Sequence, residues 1–184
     1  MTIQDTAVHF RPASAEDVPK LHRLVESAYR GDSAKRGWTH EADLLGGQRT
    51  DPAALQHIVE GADQTILLAF AADNLIGCVQ MVRVNADTSY LGLLTVDPRR
   101  QTGGIGKLLL AAGEDHAIQA WQTPAIEMTV IKQRASLIAW YQRRGYALTG
   151  EYRPFPLDDP DFGIPKTKAL EFAVLRKEVA PGNG

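Results

Sequence analysis

The chain has 184 residues, 44% of them hydrophobic and 23% charged, and a formal net charge of −2. That length fits a single domain with a sizeable core, and the near-neutral balance gives no long-range pull toward nucleic acid or an anionic membrane. The single Cys78 excludes an intramolecular disulfide.

Residues 8–11 read as a short first strand. Ser14 is placed to cap a helix, with Asp17 three residues on, and Val18, Leu21, Leu24, Val25 and Ala28 then recur at helical spacing through Tyr29. Residues 31–37 are polar and loop-like. Thr39 is placed to cap a short helix through Leu45, closed by Gly46 and Gly47. Asp51 and Pro52 give a stronger start signal, an N-cap followed by proline in the first turn, for a helix that points Leu55, Ile58 and Val59 inward and stops at Gly61. Residues 65–71 and 75–84 read as strands joined at Ala72, Asp73 and Asn74, and a further strand covers residues 89–96. Helix signals run from Gly104 to about Trp121, with Ile105, Leu108, Leu109, Ala112 and His116 along one side. A strand over residues 125–131, a helix over 136–144 ended by Gly145, and strands over 146–152 and 170–176 complete the order. The pattern predicts a mixed α/β fold: an antiparallel meander, then strand–helix–strand, then a last hairpin. No repeat or boundary divides it, so residues 1–179 are expected to form one domain, with residues 180–184 as a flexible tail. No leader-like segment occupies residues 1–10 and no run reaches membrane-spanning length, so a cytoplasmic location with no membrane partner is expected.

The stretch from Val96 through Lys107 joins an apolar strand to an apolar helix and reads Val-Asp-Pro-Arg-Arg-Gln-Thr-Gly-Gly-Ile-Gly-Lys. A glycine-rich turn at a helix start offers unpaired backbone N–H groups and the positive end of the helix dipole to an anion. A Walker loop would need glycine at 101 and Ser or Thr at 108, where Gln101 and Leu108 stand. A dinucleotide fingerprint would need a third glycine at Leu109. The loop instead resembles the Gln-x-x-Gly-x-Gly signature of the GNAT acetyltransferases, with Val96, Asp97 and Pro98 in their usual places before it. Trp140, Tyr141, Gln142, Arg143, Arg144, Gly145 and Tyr146 are similar to that family's Tyr-x-x-x-Gly-aromatic segment, at the expected distance downstream.

The resemblance implies a three-layer fold whose mostly antiparallel central sheet, about seven strands, is splayed at the cofactor site and flanked by helices. It implies acetyl-CoA as co-substrate and no metal. The pyrophosphate would rest on Gln101, Thr102, Gly103, Gly104, Ile105, Gly106 and Lys107, with Arg99 and Arg100 adding charge nearby. The pantetheine arm would pair with the strand edge at Leu94 and Val96, and the Leu94 N–H would polarise the acetyl carbonyl. Tyr141 would protonate the departing thiolate, a phenol being protonated at neutral pH. Many members of the family carry Asn seven residues before that tyrosine; this chain has Arg134, which could reach CoA phosphate, pair with an acid or contact a substrate carboxylate.

For the base, Glu41 and Glu127 are the candidates, with His40 near the first and His116 read as structural. Trp38, Glu41 and Arg49 offer an aromatic wall, an anion and a cation within a short span that suits a small amine acceptor, and Phe155 in a proline- and aspartate-rich loop could cover the cleft. The expected activity is transfer of acetyl to an amino-acid-like or polyamine-like amine, with no nucleic-acid partner, by a monomer or homodimer. A non-catalytic acetyl-CoA sensor and a protein lysine or N-terminal acetyltransferase are the alternatives.

Overall fold

The computed structural model describes residues 7–29, 45–46, 50–100, 103–154, 164–165 and 170–179. Its main sheet has seven strands. The meander comprises β1 (Val8–Pro12), β3 (Gln64–Ala71), β4 (Asn74–Arg83) and β5 (Thr88–Val96), each antiparallel to the next. A crossover through α3 (Ile105–His116) and one π-helical turn (Ala117–Trp121) brings β6 (Ala125–Ile131) parallel to β5. The chain then forms α4 (Ala135–Gln142) and β7 (Ala147–Pro154), and β9 (Glu171–Glu178) inserts between β6 and β7. A separate two-residue pairing joins β2 (Leu45–Gly46) to β8 (Ile164–Pro165). Leu45, expected at the end of a short helix, is instead in a strand, because its backbone is taken up by a partner distant in sequence; residues 39–44 of that expected helix lie outside the described residues. Among the described residues no helix is long and apolar enough to cross a membrane.

Local signals account for the helix starts. Asp17 accepts from the Ser14 N–H at 2.8 Å and from Arg11 at 2.7 and 2.8 Å, fixing the entry to α1 (Val18–Tyr29). The Asp51 side chain accepts from the Ala54 N–H at 2.8 Å, with Pro52 in the first turn of α2 (Pro52–Glu60). The helices sandwich the sheet. On one face α1 and α2 bury Leu21, Val25 and Leu55 against Ile66, Leu68, Cys78 and Leu93. On the other, α3 and α4 bury Leu109, Leu110, Leu137 and Tyr141 against Val79, Met81, Leu91, Leu94, Val96 and Met128. Burying such side chains supplies the main driving force for this arrangement, about 1.5–3 kcal/mol for each large apolar group.

The buried face of α3 is not quite the one its leucines suggest. Ile105, Leu109, Leu110 and Gly113 point inward, whereas Leu108 is 46% exposed. Glycine explains the rotation: α3 lies so close to β4 that a Cβ at Gly113 would stand 2.9 Å from the Met81 Sδ, and one at Gly77 would stand 2.6 Å from the Leu109 Cδ1. A periodicity counted on large apolar residues misses a contact made by their absence.

Candidate active site

The turn after β5 is built around Asp97. Its N–H donates to the Ile76 carbonyl at 2.8 Å, and its carboxylate accepts from the Arg99 N–H, Nε and Nη2 at 3.0, 3.2 and 3.0 Å. Burial pushes the Asp97 carboxyl up, but the bonds from Arg99 and the charge of Arg100 more than reverse this, and its pKa lies below the ordinary value. Arg99 is thus tied to the turn. A cavity of about 530 Å³ opens beside it, lined by Asn74, Leu75, Ile76, Asp97, Arg99 and Arg100.

Gln101 and Thr102 lie outside the described residues. Gly104 is the N-cap of α3, at φ +74, and a Cβ built there meets nothing within 4 Å. The Leu108 N–H already bonds the Gly104 carbonyl at 3.3 Å. The first-turn N–H groups of Ile105, Gly106 and Lys107 are the ones helix geometry leaves without an intrahelical acceptor. Open backbone, free donors and the helix dipole suit a diphosphate. Trp140 closes one side of this turn, its Cζ2 lying 3.4 Å from where a Gly106 Cβ would be.

The strand before the turn parts from its neighbour. β5 and β6 are paired only from Thr88↔Ala125 to Tyr90↔Glu127, and beyond that they diverge. On the β4 side the register jumps, with Cys78 opposite Thr95 and Gln80 opposite Gly92, so that Leu93 and Leu94 together face Val79. This is a β-bulge, with Leu93 at φ +52. It turns Leu93 toward the α1 face while Leu94 and Val96 pack on the α3 face. The Tyr29 hydroxyl, at the end of α1, donates to the Leu94 carbonyl.

Tyr141 lies on α4, only 5% exposed, with its ring edge-on to Trp140 at 5.1 Å and to Tyr146 at 5.9 Å. Burial pushes its phenol well above the ordinary value, with Tyr29 and Tyr90 acting in the same direction and the Arg134 cation opposing. Tyr141 therefore stands within electrostatic reach of the tyrosine that rests on the bulge. Arg134 occupies the N-cap of α4. Its charge acts on Tyr141 in a direction that stabilises the phenolate.

At the vertex of the splay, Glu127 of β6 is engaged on both oxygens. Arg153 donates to Oε1 at 2.7 Å and Arg176 lies 4.0 Å from Oε2. Glu151 and Glu178 bind the same two arginines at 3.0 Å each, so acids and bases alternate across β7, β6 and β9. Arg176 also donates to Thr88 Oγ1 at 3.2 Å, and the Tyr90 hydroxyl lies 2.6 Å from Thr129 Oγ1. Trp38, His40, Glu41, Arg49 and Phe155 lie outside the described residues, as do residues 180–184. His116 is half-buried against Trp121 and its pKa is lowered by that burial, as a structural histidine requires.

The structure thus packs Leu94, Val96, Ile105 and Tyr141 in one cluster, with Gly106 against Val96 and Trp140, Gly103 and Gly104 on the adjoining turn, Arg134 within electrostatic reach of Tyr141, Lys107 exposed on the first turn of α3 and Glu127 at the vertex. Sequence reasoning did not single out Tyr29, Tyr90, Thr129 or Arg176. Tyr29 ends an amphipathic helix and reads as core. The others sit in strands whose facing is decided by a register that the sequence does not print.

Residues 39–155 match the acetyltransferase (GNAT) domain family. No curated protein matches the chain. Solved structures similar in fold include an N-acetyltransferase from Staphylococcus aureus Mu50, at 11% identity and a TM-score of 0.71, covering 94% of this chain and 97% of that one. Ard1 from Thermoplasma volcanium aligns at 14% identity and a TM-score of 0.70, over 94% and 98% of the two chains. A spermidine/spermine N-acetyltransferase from Vibrio cholerae aligns at 13% identity and a TM-score of 0.65, over 93% and 92%.

Proposed function

The chain belongs to the GNAT acetyltransferase family, and from that premise we propose that it transfers acetyl from acetyl-CoA to the amine of a small molecule, amino-acid-like or polyamine-like, by direct attack in a ternary complex. The observation that carries this reading is that buried Tyr141 packs in one cluster with Leu94 of the β5 bulge and with Val96, where β5 has left β6.

Acetyl-CoA supplies a thioester carbonyl that accepts the amine nitrogen while the carbon–sulfur bond breaks and sulfur leaves as thiolate. The backbone donors of residues 101–107 hold the pyrophosphate, a role that the open surface at Gly104 fits. The strand edge at Leu94 and Val96 pairs with the pantetheine arm. The Leu94 N–H donates to the carbonyl oxygen as negative charge develops there. Tyr141 gives its phenolic proton to the sulfur and regains one from solvent, with Arg134 easing the moment at which the phenol is ionised. The amine loses one proton in the exchange. Glu127 is already bound by Arg153 and Arg176, so this proton goes to Glu41 or to water, and Glu127 instead fixes the two arginines at the vertex. The alternating acids and bases there hold no large excess of either sign, and so both acceptor classes stay within the reading.

A calorimetric titration with acetyl-CoA, with CoA and NADH as comparisons, tests the donor site. Saturable one-to-one binding of acetyl-CoA and none of NADH is expected. A thiol-release screen over amino acids, polyamines and lysine-bearing peptides then identifies the acceptor. Absence of acetyl-CoA binding up to millimolar overturns the proposal, and tight binding without turnover on any amine converts it to a sensor.

A further inference from the structure

The peptide between Leu93 and Leu94 is gripped from behind by two side chains that no step above uses. Thr95 Oγ1 donates to the Leu93 carbonyl at 2.9 Å, and Cys78 Sγ lies 3.6 Å from the same oxygen. Thr95 and Cys78 are register partners on β5 and β4, and both are fully buried. A buried hydroxyl needs a partner, and this one takes the carbonyl at the centre of the bulge.

The consequence is geometric. No peptide bond in the described chain is cis, and a trans peptide points its N–H opposite to its carbonyl. Holding the Leu93 carbonyl toward Cys78 of β4 therefore turns the Leu94 N–H the other way, to the side where β5 has lost β6. The next carbonyl along, that of Leu94, is held by Tyr29. Leu93 sits at φ +52, a conformation that a leucine does not keep without support. The peptide that follows it is thus the one in β5 most in need of a fixed partner.

We propose that Thr95 is a positioning residue for catalysis: its hydroxyl fixes the Leu93 carbonyl and thereby aims the Leu94 N–H at the acetyl carbonyl, with Cys78 as a weaker second contact. This rests on the reading of Leu94 as the carbonyl donor. Thr95 itself touches neither substrate.

The test uses acetyl-CoA carrying ¹³C at the acetyl carbonyl, bound to the full chain and read by isotope-edited infrared spectroscopy. Thr95→Val keeps the branched shape and deletes the donor; Thr95→Ser keeps the donor. The wild-type and Thr95→Ser bands are expected together at low wavenumber, with the Thr95→Val band shifted upward toward that of a thioester in apolar solvent. The acetyl-CoA Kd is expected to stay within about threefold in all three, because one hydrogen bond on the acetyl group is a small part of cofactor binding. With the best amine from the screen, kcat is expected to fall at least tenfold in Thr95→Val while the KM for acetyl-CoA holds. An unshifted band and unchanged kcat in Thr95→Val overturn the inference and leave the acetyltransferase reading standing. A wild-type band already at the apolar position overturns the role of Leu94, and this inference with it. Failure of the wild type to bind acetyl-CoA is the separate failure of the function itself. Should Thr95→Val not fold, Thr95→Ala carries the same expectation.

Discussion

Replacing Gly104 by alanine separates the folding role of the cradle from its binding role. Gly104 caps α3 at φ +74, where an L-residue costs about 1–2 kcal/mol through contact of its Cβ with its own backbone. No neighbour adds to this, since the Cβ meets nothing within 4 Å. For a chain of this length 1 kcal/mol shifts Tm by about 2–4 °C, so Gly104→Ala is expected to melt about 2–8 °C lower. Binding is affected by a different route. The methyl narrows the approach of an anion to the first-turn donors, and a hydrogen bond to a charged group contributes about 1.5–3 kcal/mol. Losing one such bond raises the acetyl-CoA Kd about 10- to 150-fold. Asparagine tolerates the left-handed region better than alanine but fills more of the open space. Gly104→Asn is therefore expected to melt nearer the wild type and bind at least as poorly as Gly104→Ala. Thermal unfolding and calorimetric titration read the two effects independently. An alanine variant that melts lower yet binds acetyl-CoA within threefold of wild type would show that the open backbone at Gly104 is not where the diphosphate lies.

Tyr141→Phe is expected to lower kcat about 100-fold, the scale of one general acid, with the acetyl-CoA Kd within threefold; unchanged thiol release reduces Tyr141 to packing. Because burial raises the Tyr141 pKa, its proton is present throughout the neutral range, and kcat measured up to pH 10 should show no alkaline decline that Tyr141→Phe abolishes. Gly77→Ala places a Cβ 2.6 Å from the Leu109 Cδ1 and 2.7 Å from the Thr95 carbonyl oxygen, an overpacking expected to destabilise by about 1–3 kcal/mol in urea unfolding; a loss below 0.5 kcal/mol would mean that α3 can retreat from β4. The Arg11 guanidinium holds the Asp17 carboxyl well below its ordinary range. A carboxyl depressed in the folded state stabilises above its unfolded value near 4 and loses that contribution as pH falls toward the folded one. Asp17→Asn should thus cost about 1 kcal/mol at pH 7, with the gap to wild type narrowing below about pH 4 in the same assay; a gap constant from pH 7 to 2.5 refutes the ion pair as its source.

How much of this was legible before the structure depends on how far apart the interacting residues lie. Ser14 with Asp17, and Asp51 with Pro52, act within one helical turn, and their positions are read from the chain directly. The hairpin at Ala72 and Asp73 and the glycine stop at Gly145, φ +96, are equally local. The glycine turn into α3 was legible for the same reason: its glycines, its helix and its strand are consecutive. By contrast, Leu45 pairs with Pro165 and Tyr29 reaches Leu94 across 65 residues, and no local preference encodes either. Likewise, the bond from Arg153 to Glu127 joins residues 26 apart, and neither one's neighbours in the chain announce it.

The bulge is the instructive case, because a sequence rule points away from it. A left-handed residue in a strand is expected to be glycine, and Gly92 offers one, yet the strained position falls on Leu93 at φ +52. Glycine there would take the conformation freely and leave it as freely. Leucine instead buries its side chain at 7% exposure among Val25, Phe70 and Cys78 on the α1 face. Packing of that side chain and the grip of Thr95 on its carbonyl act on the same residue from two directions. Together they convert a conformation that the isolated residue disfavours into a fixed one. The role proposed for the Leu94 N–H, one donor held at one angle, is served better by a constrained leucine than by a mobile glycine. The place where local preference is overridden is then the place where the proposed carbonyl donor sits.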